Sequence, residues 1–200
     1  MLGPFFGREH ILELSDGALL LRPPRQADFN EWRRVRLASR AFLKPFEPVW
    51  AETELTQGSF RARIRRYARE IAEETGFTFF LYALEEDEDP RLIGGITLSN
   101  IRRRVAQAGT IGYWMAADEA GKGWMTRAVG LLLPFSFHKL GLHRVEAACL
   151  PHNKASIRVL EKNGFRQEGL AEKYLLIDGK WQDHLLFGLT VERYEDGWSN

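Results

Sequence analysis

Gly121-Lys122-Gly123-Trp124-Met125 is the segment whose residue types limit the chemistry of this chain most narrowly. It lies between a strand-like run, Thr110 to Met115, and a long apolar run, Met125 to Leu140. Two glycines at a strand-to-helix junction let the backbone approach an anion closely. The helix start that follows offers unpaired N–H groups and the positive end of a dipole. Such a turn suits a diphosphate, and the Lys122 side chain could pair with one of its phosphates. The ordinary alternative for Lys122 is a solvated surface charge.

Other reactive side chains are sparse. The five histidines and one cysteine show no metal-ligand spacing, so no metal is expected. Cys149 cannot form an internal disulfide and reads as a core residue in a reducing, cytoplasmic setting. A net charge of +1 gives no global attraction for nucleic acid or membrane. No run approaches the roughly 18 apolar residues of a membrane helix. The first eight residues make a poor signal peptide, lacking a basic region followed by a sustained apolar one.

The elements that must position the glycine turn follow from hydrophobic period. Residues 1–17 read as a loosely packed arm, and residues 18–200 as one domain. Ala18 to Arg22 is a short strand stopped by Pro23-Pro24. A helix is expected from Asp28 to about Arg40, then an irregular, aromatic and proline-broken loop, Phe42 to Trp50. A second helix, about Glu54 to Glu74, carries Phe60, Ile64, Tyr67 and Ile71 on one face. Its other face carries Arg61, Arg63, Arg65, Arg66 and Arg69. Strands follow at Phe77–Leu84, Leu92–Ile101 and Ala108–Met115. The helix after the glycine turn should run to about Lys139, bent by Pro134 and ended by Gly141. Arg144–Cys149 is a strand, Asn153–Asn163 a helix, and Arg166–Ile177 with Trp181–Thr190 a hairpin about Asp178-Gly179. The order implies an α/β (α+β) mixed sheet of six to seven mostly antiparallel strands flanked by helices.

A dinucleotide fold is one rival reading, because Gly121-x-Gly123 follows a strand and Glu146 sits near the spacing of a ribose-binding acid. Thr126 stands where the third glycine would be, and the preceding strands form a meander. The element order and two motifs instead resemble the GNAT superfamily of acetyl-coenzyme-A-dependent N-acetyltransferases. The family's Gln or Arg, two residues, Gly, one residue, Gly or Ala reads here as Asp118-Glu-Ala-Gly121-Lys-Gly123, with Asp118 departing from the pattern. Its Asn-x-x-Ser…Gly-Phe segment is similar to Asn153-Lys-Ala-Ser156…Gly164-Phe165, about 30 residues beyond Gly123. Within the superfamily, Phe42-Leu-Lys-Pro-Phe-Glu-Pro-Val49, Pro151-His-Asn-Lys154, Tyr174-Leu-Leu-Ile-Asp-Gly179 and Trp181-Gln-Asp-His184 resemble the RimJ/RimL group. That group acetylates the N-terminal alanine of ribosomal proteins.

The resemblance implies acetyl-CoA as co-substrate. It implies cofactor contacts from the backbone of Gly121, Lys122, Gly123, Trp124 and Met125, from Asn153, and along the strand end Tyr113-Trp114-Met115. Tyr113 and Met115 share one face and Trp114 the other, so one set is expected in the core. Ser156 is the expected acid to the coenzyme thiolate; a first-turn serine is otherwise a cap. Leu160 occupies the place where other members carry a tyrosine, and Leu175 the place of a glutamate in RimL-like relatives. Glu146 is the expected base, with a cross-strand ion pair as its alternative. Phe46, Trp50, Tyr174 and Trp181, with Phe42, would wall the substrate cleft, and His184 would contact the amine. The expected acceptor is a ribosomal-protein N-terminus or another amine, such as an antibiotic or polyamine; a non-catalytic ribosome-assembly factor on the same fold is a third reading. Arg102-Arg-Arg104 and the arginine-rich helix face read as solvated surface, with incidental ribosomal RNA contact as the alternative. A monomer and a homodimer are both open.

Overall fold

The computed structural model describes residues 12–85 and 89–197, which fold around one sheet. The strands are β1 (Leu14–Ser15), β2 (Leu19–Arg22), β3 (Phe77–Ala83), β4 (Arg91–Arg102), β5 (Ala108–Met115), β6 (Arg144–Cys149), β7 (Arg166–Ile177) and β8 (Lys180–Thr190). They form one sheet in the order β1-β2-β3-β4-β5-β6-β8-β7. Among the described residues only β5 and β6 pair in parallel; every other pair is antiparallel. The sheet is therefore mixed and mostly antiparallel, but it has eight strands where six to seven were expected. The extra strand is β1, part of the expected arm. It folds back on β2 through Asp16 and Gly17, whose φ of +94° suits glycine, and Asp16 Oδ1 accepts from the Leu19 N–H at 2.9 Å. The rest of that arm, residues 1–11, lies outside the described residues, as do residues 86–88 of the acidic turn.

The helices are α1 (Phe29–Ala38), α2 (Arg40–Leu43), α3 (Gln57–Ala72), α4 (Trp124–Pro134), α5 (Lys154–Lys162) and α6 (Val191–Glu195). The loop expected over Phe42–Trp50 is partly ordered. α2 runs into a 3-10 turn, Lys44–Phe46, where Pro45 fits an early helical position. At Pro134 the helix changes its pitch. With no N–H to donate there, the chain continues as one π turn, Phe135–Lys139, before Gly141.

Each face of the sheet carries its own core. On one, Ile111, Val145, Ala147, Cys149, Phe187 and Leu189 meet Met125, Val129 and Leu132 of α4 and Leu160 of α5. On the other, Phe80, Tyr82 and Leu92 pack with Trp32 of α1 and Phe60 of α3. Burying each such side chain stabilises the fold by about 1.5–3 kcal/mol relative to exposure. The expectation that only one face of the Tyr113-Trp114-Met115 segment is core is thereby corrected: Tyr113 and Met115 pack on the larger core and Trp114 on the smaller. Glycines make room for the indole, since a Cβ on Gly95 would lie 2.4 Å from Trp114 Nε1.

Candidate active site

The parallel pair opens at its far end. β5 and β6 are in register from Ala108 and Arg144 to Ile111 and Ala147. Beyond that point Gly112–Met115 and Ala148–Cys149 have no ladder between them, although β4 still pairs with β5 as far as Met115. Main-chain N–H and C=O groups of β5 therefore face an open slot, and such groups need partners. An extended ligand carrying amides can supply them as an added strand does.

At the mouth of this slot the chain turns into α4. Gly121 and Gly123 have φ of +82° and +90°, the left-handed region, and a Cβ at either would meet nothing within 4 Å. Gly123 is the N-cap of α4 and supplies no side-chain cap, so the first-turn N–H groups keep their capacity for an anion. The side chains around the turn are otherwise engaged. Met125 is buried in the larger core, and Trp124 packs against it. Trp124 Nε1 donates to Glu119 Oε2 at 3.0 Å, and Lys122 Nζ and Arg91 Nη1 donate to Glu119 Oε1 at 3.1 and 2.7 Å. Burial alone would push the Glu119 carboxyl up; donation by Arg91, then by Lys122 and Trp124, holds it below the ordinary value. The buried Glu119 is thus the anchor of the glycine turn, and it leaves the Lys122 side chain half occupied. Nothing in its sequence context separated it from the surface carboxylates around it. Asp118, the departure from the family pattern, is exposed.

Across the slot stands α5. Asn153 caps it, Oδ1 accepting from the Ser156 N–H at 3.1 Å, a contact whose loss costs about 1 kcal/mol. Ser156 is buried, and its hydroxyl lies 2.8 Å from the Tyr113 hydroxyl. Burial raises the Tyr113 phenol above its ordinary value, against a smaller opposing effect of Ser156. Cys149 touches the same serine; burial pushes its thiol up. The slot therefore holds a compact hydroxyl pair, one from β5 and one from α5, beside the buried thiol of β6. Leu160, at the place where the family resemblance puts a tyrosine, lies wholly inside the core. Asn163 ties the two helices together, its Nδ2 donating to the carbonyls of Val159 and of Thr126 on α4.

Glu146 does not join this cluster. It accepts from Arg102 Nη2 at 2.5 Å and Arg144 Nε at 3.0 Å, on the face of β6 opposite Cys149. Arg144 also pairs with Glu168. Glu146 lies three residues, or about 10 Å along a strand, from Cys149.

On the face opposite Ser156, the two expected substrate walls come together. The Asp178 N–H donates to the Glu47 carbonyl at 2.9 Å, joining the hairpin tip to the segment after α2. Glu47 accepts two bonds from Arg36, at 2.7 Å each, and one from Trp50 Nε1 at 2.7 Å. The Arg36 guanidinium lies over Trp50 and Trp114, 4.5 and 4.9 Å from the ring centroids. Phe46 lies 6.1 Å from His152. His184 is buried, 5.8 Å from the Tyr174 ring, and its Nδ1 lies 2.9 Å from the Gln182 carbonyl. A carbonyl can only accept, so Nδ1 carries a proton and donates to it. Trp181 is 63% exposed and, at odd spacing from His184, points to the other face of the hairpin. Among the described residues no group of His, Cys, Asp or Glu could hold a metal, and no helix is long and apolar enough to cross a membrane.

Known proteins are similar to this chain in sequence and fold. The family model for the acetyltransferase (GNAT) domain matches residues 18–166. A probable N-acetyltransferase of Bacillus subtilis, YjcK, is 35% identical over 176 residues, 88% of this chain and 96% of its own length. The ribosomal protein uS5-alanine N-acetyltransferase of Escherichia coli is 35% identical over 172 residues, 85% of this chain and 87% of its own. The structure of Mycobacterium smegmatis RimJ in complex with CoA-disulfide superposes with a TM-score of 0.82 at 33% identity, covering 90% of this chain and 87% of that one. The uncapped glycine turn, the opened strand pair and Ser156 fit a coenzyme-A thioester. This chain belongs to the GNAT family and is an acetyl-CoA-dependent N-acetyltransferase.

Proposed function

We propose that the acceptor is the N-terminal α-amine of a protein, with an alanine-initiated ribosomal protein as the natural case. The observation that carries this reading is the junction of the Glu47 segment with the β7–β8 hairpin, which builds one wall from two expected substrate elements. Its rim is exposed and apolar: Phe42, Val49, Tyr174 and Leu175 are all open to solvent. A polypeptide covers such a rim better than a small amine does. The uS5-alanine enzyme, at 35% identity, supports the same acceptor class.

Acetyl-CoA supplies an activated carbonyl and a thiolate leaving group. The main chain of Gly121, Lys122, Gly123, Trp124 and Met125 would hold its diphosphate, and the open edge of β5 from Tyr113 to Met115 would pair with its amide-bearing arm. Asn153 holds the first turn of α5 so that Ser156 faces the slot. Tyr113 keeps its proton and donates to Ser156 Oγ, which frees the serine hydrogen for the departing sulfur. The amine needs little help: with a pKa of about 7.7–8.0, an α-amine is partly neutral near pH 7. His184, packed against Tyr174, is placed as the contact to the amine, and Tyr174, Trp50 and Phe46 line the approach. Trp181 contributes to the outer rim only. Glu146, held by two arginines, has an ion-pairing role in this scheme.

One feature favours a smaller acceptor. A cavity of about 160 Å³ lies beside Trp114, walled by Trp32, Phe60 and Phe80 with the Glu47 and Glu54 carboxylates at its edge. Competition decides between the two. Thiol release from acetyl-CoA is measured with an alanine-initiated ribosomal peptide and with polyamines. Saturable turnover of the peptide, undiminished by polyamine, is expected. Turnover of the small amine alone would overturn the reading.

A further inference from the structure

We propose that α3 carries a docking stripe for the phosphate backbone of duplex RNA. Arg61, Arg65 and Arg69 recur every fourth residue, so their Cα atoms rise in steps of about 6 Å along one face of the helix. All three are exposed. The ion pairs that α3 makes, Arg63 with Glu54 and Arg66 with Glu70, lie on its flanks. The other residues of the stripe's face are Gly58, Ala62, Ala68 and Ala72, all exposed and none reaching beyond Cβ. Over these positions the helix face is flat and studded with guanidinium groups in line, and the row ends at the exposed Glu73, the C-cap.

Like charges at this spacing destabilise a helix, so stability does not explain the choice. The whole chain carries only +1, so the stripe is a local concentration of charge rather than an expression of a basic protein. Guanidinium forks match phosphate oxygens in pairs. A rigid row of evenly spaced forks suits a rigid row of evenly spaced phosphates, which a duplex presents and an acidic protein surface does not. Small residues between the arginines let the backbone of the nucleic acid come close. Phe60, behind the stripe, packs into the core on the Trp114 face, so the three arginines point away from that core.

The test is fluorescence anisotropy of a labelled RNA duplex of arbitrary sequence, titrated with the full chain over a range of salt. Wild type should bind at low salt with a log–log salt slope of about −3, the value for three phosphate contacts. The variant R61Q/R65Q/R69Q should bind about tenfold or more weakly, with a slope near zero. A charge-matched control, K139Q/K162Q/R166Q, should bind like wild type. The stripe variant should acetylate a peptide as wild type does, which separates this result from failure of the enzyme. Equal binding by the stripe variant and wild type would overturn the proposal, and so would no binding at low salt. Displacement of the duplex by polyglutamate at equal charge would also overturn it, in favour of an acidic protein partner.

Discussion

The Tyr113 and Ser156 hydroxyl oxygens lie 2.8 Å apart across the slot, although 43 positions separate them in the chain. One belongs to the opened strand and the other to the first turn of the helix opposite. The pair therefore reports on whether strand and helix are held at the right separation, as well as on proton supply.

Removing either hydroxyl should slow the reaction without loosening the coenzyme. Ser156→Ala is expected to lower kcat about 10²-fold, the lower range for a positioned proton donor. Tyr113→Phe should lower it less, and the double variant no more than Ser156→Ala alone, because the two act as a unit. Steady-state kinetics with calorimetric CoA affinities checks this. An unchanged kcat in Ser156→Ala would remove the serine from the chemistry.

The glycine turn is tested separately. At Gly123 a φ of +90° penalises any side chain by about 1–3 kcal/mol. Gly123→Val should still fold, since its Cβ meets no protein atom, yet bind CoA about tenfold or more weakly. Thermal shift on adding CoA is the readout: wild type gains Tm and the variant does not. A normal gain would contradict diphosphate binding by this turn.

Much of this turn was legible in sequence because its chemistry is local. Two glycines between a strand and a helix, and a serine three residues after an asparagine cap, are readable as spacing. The slot was not, because the register that ends at Ile111 and Ala147 is a non-local pairing. Tyr113 could be placed on a strand face, but its partner in α5 depends on how the helix returns. Glu119 looked like one more acidic surface residue until burial and three donors singled it out. β1 was missed because two residues are too few to show a period, and the π turn because Pro134 predicts a disturbance and not its form.

Glu119→Gln should unfasten the turn. Loss of a buried acceptor of three bonds costs about 1–3 kcal/mol, a fall in Tm of roughly 3–10 °C at this size. The sign of the pH dependence follows from the lowered native pKa. The unfolded chain binds the proton more readily, so the stabilisation is complete above the ordinary value of 4.5 and is lost as pH falls below it. Asp28, also lowered, with Arg22 and the Arg25 N–H as donors that outweigh its burial, adds to the same acid limb. Thermal melts between pH 3 and pH 7 should show a smaller acid slope in the variant. An identical slope would place the acid sensitivity elsewhere.

Glu146→Gln discriminates between an ion pair and a base. With both carboxylate oxygens on arginines, the substitution should leave kcat/KM within about twofold and cost at most about 1 kcal/mol of stability. A fall of about 10²-fold near neutral pH, relieved as pH rises, would make it the base.

The acceptor is the point on which the account turns, and tandem mass spectrometry reads it directly. An alanine-initiated ribosomal peptide that also contains lysine is incubated with acetyl-CoA and the enzyme, and the modified atom is located by fragmentation. The account predicts a single acetyl group on the α-amine of the first residue. Acetyl on the lysine side chain, or an unmodified peptide under conditions where small amines are acetylated, would contradict it.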